Sequence, residues 1–510
     1  MKRIFKFLIS NKFLIALTLL INIGIYILFY QFVGRFIYEA MLVFAALIVL
    51  IIVNKSGDSI IFKILWLLLM LSFPFLGMIV YSNARVKKAA KNRKKQWANI
   101  TYNNSKFLEQ NTEFIESANK SDKALANINN YITNFANMPV YQNSQSLYIP
   151  SGEEYFKDLF ASLNSAKQYI LLEYFTIKPG KVWDELFAIL RKKALEGVEI
   201  KVIYDDFGCI RGFSDKKYFK KLANHKIDAV PFNKVDAGLH FFANYRNHRK
   251  IAIIDGKTSF IGGVNIGDEY ANIDKNNEYW KDTAIKIIGP AVWNNVVMFF
   301  NVWGMSTGNQ ADLSKYVPNY TEVIPTKNKE FVQPYGTGPL SAEPVARNIY
   351  LKIINTAKNY LYITTPYFII DQHMQESLKM AAQGGVEVKI IMPSTPEKKW
   401  AFYLSRSYYE TLIKAGVKIY EYTPGFMGAK MMIADGDISI VGTANFEFRS
   451  LYLHFENGVI LSNSKTNTNI KYDFDSIINS SRLLNLRDIR NRKWHEKVIG
   501  QLLRVFAPLI

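Results

Sequence analysis

The sequence is poor in the residues that build disulfide or metal frameworks. Its 510 residues include one cysteine, Cys209, and six histidines. A single cysteine excludes an internal disulfide and an all-cysteine metal site, which fits a catalytic part that never meets an oxidising compartment. The chain also lacks a P-loop, a dinucleotide-binding fingerprint and the Cys/His spacing of a zinc site. It therefore gives no sign of a nucleotide, dinucleotide or zinc enzyme.

Acidic residues are in short supply. The chain has 43 Asp and Glu against 63 Lys and Arg, a formal net charge of +20. Such an excess implies an acidic partner, and both nucleic acid and an anionic membrane surface qualify. Charge alone does not choose between them.

Charges are almost absent from three N-terminal stretches, and these favour the membrane over nucleic acid. Residues 13–33 contain no charge, residues 36–53 are apolar except for Glu39, and residues 64–82 are apolar throughout. Roughly 17–25 residues suffice to cross a bilayer. No small-residue cleavage site follows the first stretch, so we expect a retained anchor in the cell membrane and not a removable signal peptide.

The positions of the basic residues leave the number of crossings open. Seven Lys or Arg lie within residues 85–95, and such a cluster normally stays cytoplasmic. We therefore expect the catalytic part on the cytoplasmic side. The N-terminal residues 1–12 are also basic, and three full crossings cannot leave both ends inside. Either one stretch fails to cross, with Pro74 and Gly77 favouring a re-entrant third stretch, or the N-terminus lies outside.

The remainder of the chain contains two copies of one unit. Residues 166–178 resemble residues 357–369, and residues 248–265 match residues 428–445 at a constant offset of 180 positions. Within each copy, short apolar strands alternate with helical stretches. This alternation predicts an α/β fold in which helices cover mixed, largely parallel sheets.

These features predict five segments. They are a membrane anchor with two or three hydrophobic stretches (1–84), a basic helical linker (85–135), a first repeat (136–320), a second repeat (321–485) and an amphipathic C-terminal helix (486–510). The basic C-terminal helix could pack on the core or lie on lipid.

The first copy carries a motif suited to a phosphate ester. It runs His248, Lys250, Asp255, Gly262–Gly263 and Asn265. Two positions apart on a strand, the imidazole and the ammonium face the same side, where both can meet a phosphate. The turn after the strand brings the glycines and the asparagine back beside them, and the glycines permit close backbone approach.

The second copy keeps every element of this motif except one. Lys430, Asp435 and Asn445 stand in register with their counterparts, whereas Gly428 occupies the position of the histidine.

The doubled motif and its flanking residues, "NYRNHRKIAIIDGKTSFIGGVNIGDEY" and "VGTANFEFRS", resemble the bacterial cardiolipin synthases of the phospholipase D superfamily. The resemblance covers nearly the whole chain. It implies that two phospholipase D-like repeats meet about a pseudo-twofold axis and form one site without a metal or organic cofactor. It also implies transfer of a phosphatidyl group between two phosphatidylglycerol molecules, giving cardiolipin and glycerol through a phosphohistidine. We expect anionic phospholipid and the membrane as partners, and no nucleic acid.

The resemblance also implies roles for the motif residues. His248 would attack phosphorus, Lys250 and Lys430 would hold the non-bridging oxygens, and Asn265 and Asn445 would bond to the transition-state charge. Asp255 and Asp435 belong to the same catalytic motif, although Asp-Gly also favours a turn without any catalytic duty.

Two carboxylates beyond the motifs are expected to orient the imidazoles. The resemblance implies that Asp282 holds the first histidine and Glu456 the second, which would leave Glu456 without an imidazole because of Gly428. His454, two residues before Glu456, could partly replace the lost group, but a lone extra histidine is more often packing or surface.

Two functions follow from this degenerate position. The first is a working phosphatidyltransferase whose general acid is water, His454 or another group. The second is a catalytically impaired, membrane-anchored protein that binds anionic phospholipid and regulates or pairs with an active paralogue. A basic nuclease of the same superfamily is disfavoured by the hydrophobic N-terminus.

Overall fold

The computed structural model describes residues 35–54, 87–209, 218–234, 245–273, 278–318 and 330–507, together with single positions between 24 and 77. The chain forms two compact units. One consists of residues 92–504, and the other of residues 1–91 and 505–510.

The N-terminal unit contains the helix α1, Arg35–Asn54, which includes the hydrophobic stretch 36–53. The other two stretches, 13–33 and 64–82, lie almost entirely outside the described residues. Within the described part of the chain, no helix combines the length and hydrophobicity needed to cross a membrane.

Residues 87–136, where the sequence predicts a helical linker, form three helices. They are α2 (Lys87–Ser105), α3 (Thr112–Ser121) and α4 (Lys123–Ala136). The Asp122 carboxylate accepts the N–H groups of Ala124 and Leu125 and so caps α4. The hydroxyl of Tyr131 accepts a hydrogen bond of 2.8 Å from Asn348 of the second repeat. The last of these helices therefore packs against the repeat that follows later in the chain.

Nine strands lie within the described residues of the first repeat. They are β1 (Gln145–Ile149), β2 (Tyr169–Tyr174), β3 (Glu199–Asp205), β4 (Ile227–Phe232), β5 (Arg246–Asn247), β6 (Lys250–Ile254), β7 (Thr258–Gly262), β8 (Tyr279–Lys281) and β9 (Ala284–Ile288). Its helices are α5 (Gly152–Asn164), α6 (Lys181–Leu195), the short turns α7 (Asp206–Cys209) and α8 (Tyr218–Lys221), and α9 (Val292–Thr307).

Between residues 330 and 485, the described part of the second repeat, there are eleven strands. They are β10 (Phe331–Thr337), β11 (Tyr360–Thr364), β12 (Phe368–Ile369), β13 (Glu387–Pro393), β14 (Lys418–Tyr422), β15 (Gly425–Met427), β16 (Met431–Ala434), β17 (Ile438–Gly442), β18 (Phe446–Glu447), β19 (His454–Ser462) and β20 (Ser481–Leu483). Its helices are α10 (Val345–Thr356), α11 (Gln372–Gln383), α12 (Lys399–Lys414) and α13 (Thr466–Asn479), followed by α14 (Leu486–Arg490) and α15 (Trp494–Phe506).

Each repeat builds one mixed sheet, as the alternation of strands and helices predicts. The strand order is β1-β9-β7-β6-β2-β3-β4 in the first sheet and β10-β19-β17-β16-β11-β13-β14-β20 in the second. The expectation of largely parallel sheets is wrong. Along these orders only the β2–β3 and β3–β4 pairs of the first sheet and the β11–β13 and β13–β14 pairs of the second are parallel, and β5 adds one parallel pairing with β19. Tight hairpins at the motif turns make the β6–β7 and β16–β17 pairs antiparallel.

The motif aspartates build those turns. Asp255 and Asp435 both have positive φ, of 51° and 55°. The Asp255 carboxylate accepts the N–H groups of residues 167–169 at 2.7–2.9 Å, and that of Asp435 accepts those of residues 358–360 over the same range. Each aspartate therefore fastens its hairpin to the beginning of the neighbouring central strand.

The main hydrophobic core is shared by the two repeats. It includes Ile251 and Ile285 from the first sheet and Ile433 and Val459 from the second, all fully buried. The helix α9 is apolar on nearly every side and is buried along most of its length in the same core. Burying one such side chain contributes about 1.5–3 kcal/mol relative to leaving it exposed. The repeats are therefore joined by continuous packing.

The C-terminal helix α15 packs on the second repeat through one of its faces. Arg504 donates to Gln375 at 2.6 Å and lies over the ring of Tyr408 at 4.2 Å. At Gly500 the helix approaches so closely that a Cβ atom would lie 2.5 Å from the carbonyl oxygen of Tyr403. Core packing, one of the two alternatives for this helix, therefore accounts for this face.

Candidate active site

The strand that carries the first motif pairs with the second repeat. β5 runs parallel to the start of β19, with Arg246 opposite His454 and Asn247 opposite Phe455. The N–H of His248 then donates to the carbonyl of Phe455 at 2.9 Å. This register places His248 beside Glu456, the next residue of β19.

His248 and Glu456 form a buried pair across the two repeats. Nδ1 of His248 lies 2.9 and 3.0 Å from the two carboxylate oxygens of Glu456. The hydroxyl of Thr443 donates to the same carboxylate. The expectation that Glu456 belongs to the second motif and lacks an imidazole is therefore wrong. Because β5 pairs with β19, the carboxylate of the second repeat contacts the histidine of the first.

The surroundings of the pair favour a neutral imidazole. Burial lowers the pKa of His248 to about 3, against the opposing effect of the Glu456 carboxylate. Burial would raise the pKa of Glu456, but its contact with His248 holds that pKa well below the usual range. The Nδ1–H of His248 thus donates to an ionised Glu456, and Nε2 keeps the lone pair that a nucleophile needs. The side chain of His248 remains 15% exposed, so it is not sealed in the core.

The second motif is arranged in the same way on the opposite side. β15 runs parallel to β8, with Phe426 opposite Trp280 and Met427 opposite Lys281. The N–H of Gly428 donates to the carbonyl of Lys281 at 2.8 Å. Asp282 follows directly, so Asp282 and not Glu456 is the carboxylate that faces the missing histidine.

The place of the missing imidazole is filled by an indole. A Cβ atom on residue 428 would lie 2.5 Å from Nε1 of Trp280 and 2.9 Å from Oδ2 of Asp282. The Trp280 Nε1–H donates to that same oxygen of Asp282 at 3.3 Å. The ring packs against Tyr270 and Phe426, with centroids 4.8 and 4.5 Å away. Trp280 therefore supplies the hydrogen bond that an imidazole at position 428 would supply.

The two motif lysines occupy equivalent positions. Nζ of Lys250 donates to the carbonyl of His248 at 2.6 Å, and Nζ of Lys430 donates to the carbonyl of Gly428. Lys430 also lies 3.7 Å from Asp282. Burial lowers the pKa of Lys250 to about 7. Two buried lysines thus accompany the two motif positions, as expected of groups that hold a phosphate.

The motif asparagines are bonded to protein. Asn265 accepts the N–H of Thr176 at 3.1 Å and donates to the Tyr270 hydroxyl at 3.0 Å. Asn445 donates to Glu447 at 2.7 Å, and its amide oxygen has no hydrogen-bond partner among the described residues. Their contacts support the loops that follow β7 and β17, and a direct contact with phosphate stays a prediction.

The motif aspartates lie far from the motif lysines and from His248. Asp255 and Asp435 lie five positions beyond the two lysines, at the far ends of β6 and β16. At about 3.3 Å per residue this is roughly 16 Å along the strand. Their carboxylates are occupied by backbone N–H groups, so the geometry assigns them the turn role and not direct catalysis.

His454 lies on the His248 side of the site. Its ring centroid is 5.6 Å from that of His248, and its Nδ1 is 3.6 Å from Glu456. Its Nε2 accepts a hydrogen bond from Arg449 at 3.3 Å. Within the described residues, His248, His454 and Glu456 form the one group whose ligand atoms come close enough to hold a metal ion. His454 therefore shares the carboxylate of His248 and does not occupy the place of the lost imidazole.

Two further carboxylates hold the strand of His248, and sequence reasoning assigned them no role. Asp205 accepts the N–H of Asn247 at 2.8 Å and bonds to Arg246, while Glu173 accepts the Asn247 side chain at 2.8 Å. Burial raises the pKa of Asp205 to about 6 and that of Glu173 to about 7. In the sequence, Glu173 lies within an apolar strand and Asp205 ends one. Burying an acidic side chain there is costly unless it is paired, and this pattern is the signal that points to both residues.

Known proteins match both repeats. The family described as "Cardiolipin synthase, PLD-like domain" matches residues 159–286 and 350–478, and a phospholipase D-nuclease N-terminal family matches residues 41–81. A cardiolipin synthase of Halalkalibacterium halodurans is 32% identical over 87% of this chain and 88% of its own length. An uncharacterized protein of Streptococcus mutans is 36% identical over 91% of this chain and 99% of its own. The phosphatidylserine synthase of Haemophilus influenzae has a similar fold, with a TM-score of 0.58 at 17% identity over 74% of this chain and 97% of its own.

The packing of the Trp280 indole beside Gly428 leads to a prediction about stability. Gly428→His should destabilise the fold by about 1–3 kcal/mol, because the new side chain collides with Trp280. Combining it with Trp280→Leu should cost less than the sum of the two single changes, since the imidazole then fills the vacated space. Urea unfolding of the four proteins of this cycle measures the coupling. Gly428→His with Tyr472→Leu, at a residue 77% exposed, is the control and should be additive. Additivity in the Trp280 cycle would show that the two side chains do not compete.

Proposed function

Because the chain belongs to the cardiolipin synthase family of phospholipase D-like proteins, we propose that it transfers a phosphatidyl group between two phosphatidylglycerol molecules. The products are cardiolipin and glycerol. The observation that carries the proposal is the pair of His248 and Glu456, which presents a neutral, partly exposed imidazole close to the buried Lys250.

The reaction consists of two displacements at one phosphorus. Nε2 of His248 attacks the phosphodiester, the bond from phosphorus to the glycerol oxygen breaks, and a phosphohistidine forms. A primary hydroxyl of the second phosphatidylglycerol then attacks phosphorus, and the bond to His248 breaks. Lys250 and Lys430 hold the non-bridging oxygens. Glycerol gains one proton and the incoming hydroxyl loses one, so the reaction needs no other reactant.

The second motif position favours an alternative function. Gly428 provides no imidazole, and Trp280 fills its place with an N–H that donates a hydrogen bond but is too weak an acid to protonate a leaving group. General acid–base catalysis typically contributes about 10²–10⁴-fold. A protein that binds anionic phospholipid and regulates an active paralogue is therefore the second candidate.

We also propose that the catalytic part lies against the cytoplasmic surface of the membrane. The apolar N-terminal stretches support an anchor. The C-terminal segment presents exposed apolar side chains away from the face packed on the protein: Leu483, Trp494, Ile499 and Leu502 are 38–66% exposed. Residues 482–504 contain seven Lys or Arg against two acidic residues. Exposed apolar groups among cations are typical of a helix that rests on anionic lipid.

The proposed reaction predicts product formation that depends on His248. The purified full-length protein, incubated in phosphatidylglycerol vesicles, should form cardiolipin and glycerol in equal amounts, measured by mass spectrometry and an enzymatic glycerol assay. His248→Ala should abolish both products because it removes the nucleophile. His373→Ala, an exposed histidine outside the site, is the matched control and should retain them.

Two results would contradict parts of this proposal. Cardiolipin formation by His248→Ala would exclude the phosphohistidine route. A phosphohistidine without cardiolipin, or product only after Gly428→His is combined with Trp280→Leu, would favour the impaired alternative.

The burial of Lys250 predicts that activity falls as the pH rises through about 7. Its pKa of about 7 lies below that of an exposed lysine, so the ammonium is charged below about pH 7 and neutral above it. For a nitrophenyl phosphodiester, kcat/KM should fall as the pH rises through about 7, because phosphate loses one of its cations. Lys250→Arg keeps its charge to far higher pH and should shift this fall above pH 9. A fall that stays near pH 7 in that variant would assign it to another group.

The C-terminal surface predicts contact with lipid. Cys209 is buried, so Trp494→Cys introduces a selectively reactive thiol for a fluorophore. In phosphatidylglycerol vesicles, spin-labelled lipid should quench a label at position 494 strongly. A label at Tyr472→Cys, on the 77% exposed side chain of α13, should be quenched little. Equal quenching at the two positions would contradict contact through α15.

A further inference from the structure

We propose that Lys430 supplies the proton to the departing glycerol oxygen, in place of the imidazole that Gly428 lacks. This role rests on the proposed phosphatidyl transfer. It is additional to holding a non-bridging oxygen, and it follows from where the groups of the site lie relative to His248.

The two motif positions form two sides of the site. His248 belongs to one side, with Glu456 and His454 beside it. The other side is formed by Gly428 and Lys430, with Asp282 and the indole of Trp280. In a displacement at phosphorus the attacking and leaving atoms lie roughly in line, so the leaving oxygen points away from the nucleophile. The proton donor therefore belongs to the side of Gly428.

Three groups near the site are poorly suited to donate this proton. The Trp280 indole is a donor that keeps its proton. The Asp282 carboxylate is fully buried and already accepts the N–H groups of Trp280 and Thr283. His454 lies on the side of the nucleophile, and its Nε2 accepts a hydrogen bond from Arg449.

Lys430 meets the remaining requirement. Its ammonium carries three N–H groups, of which one donates to the carbonyl of Gly428, the residue that lacks the imidazole. Asp282 lies 3.7 Å away and balances the charge. The charge of Lys430 adds to the effect of burial in lowering the pKa of Lys250, so the two lysines lie within electrostatic range of each other. A phosphate held between them places its leaving oxygen within reach of Lys430.

The proton balance closes within this residue. As Nε2 of His248 bonds to phosphorus and the glycerol oxygen leaves, Lys430 gives that oxygen a proton and becomes a neutral amine. In the second displacement the amine takes the proton of the incoming hydroxyl while the bond from phosphorus to His248 breaks. Lys430 returns to an ammonium, and no other acid or base is consumed.

A comparison of leaving groups tests this role. Nitrophenolate leaves without a proton, whereas glycerol needs one. Lys430→Arg keeps the positive charge but does not release a proton at neutral pH. In the first turnover of the full-length protein, which reports the first displacement alone, this change should slow glycerol release from phosphatidylglycerol by about 10²–10⁴-fold, and nitrophenol release from a phosphatidyl nitrophenol by no more than about tenfold. Retained nitrophenol release also shows that the variant is folded.

Two variants serve as matched controls. Lys250→Arg, on the side of the nucleophile, should slow both substrates by similar factors. His454→Asn should not show the selective loss of glycerol release. A selective loss in His454→Asn, or equal losses on the two substrates in Lys430→Arg, would overturn the role of Lys430.

The proposed function and the role of Lys430 fail in different ways. If the unaltered protein releases nitrophenol but no glycerol, both are overturned. If it forms cardiolipin and Lys430→Arg loses both activities equally, only the role of Lys430 is overturned.

Discussion

The exchange of short parallel strands between the repeats is the constraint on which the site depends. β5 lies on β19 and β8 lies on β15, so each motif position meets the carboxylate of the other repeat. One repeat alone would present His248 without Glu456. Because the two sheets also share one hydrophobic core, the distance between the two halves is fixed by packing and not by flexible loops. The nucleophile is therefore oriented before a substrate arrives, which is the condition for electrostatic catalysis.

Holding His248 in this position requires buried charge, and that charge is balanced locally. Asp205 and Glu173 bond to the residues just before His248, while Arg249 donates to the backbone of Glu456 and Met298. A buried charge without partners would cost several kcal/mol, and these hydrogen bonds reduce that cost and fix one geometry, while Oε2 of Glu173 has no hydrogen-bond partner among the described residues. Both carboxylates are fully buried, and this burial raises their pKa values. The same buried hydrogen bonds therefore hold the motif strand in place and lie out of contact with water.

Patterns local in the chain could be predicted from the sequence, and contacts between the repeats could not. The constant spacing of the two motifs located His248, Lys250 and Lys430, and the Asp-Gly pairs located both hairpins. The pairing of Asp282 and Glu456 was predicted in the reverse sense, because sequence order places each carboxylate with the motif of its own repeat. Only the strand exchange reverses this order. The proportion of parallel strands was overestimated for a related reason, since the hairpins at Asp255 and Asp435 reverse the chain and only two neighbouring pairs along each sheet order are parallel.

The loss of one imidazole does not leave the two halves of the site equivalent. Gly263 leaves room for Asp282, whose Oδ1 would lie 2.0 Å from a Cβ atom there, whereas the matching Thr443 donates its hydroxyl to Glu456. Glu456 thus has an imidazole and a hydroxyl as partners, while Asp282 has an indole N–H, a backbone N–H and a nearby lysine. Both carboxylates are satisfied, so a histidine at position 428 is not needed for the fold. Position 428 lacks a group that can act as an acid and a base. Among the groups around Asp282, Lys430 is the one that we propose for this task.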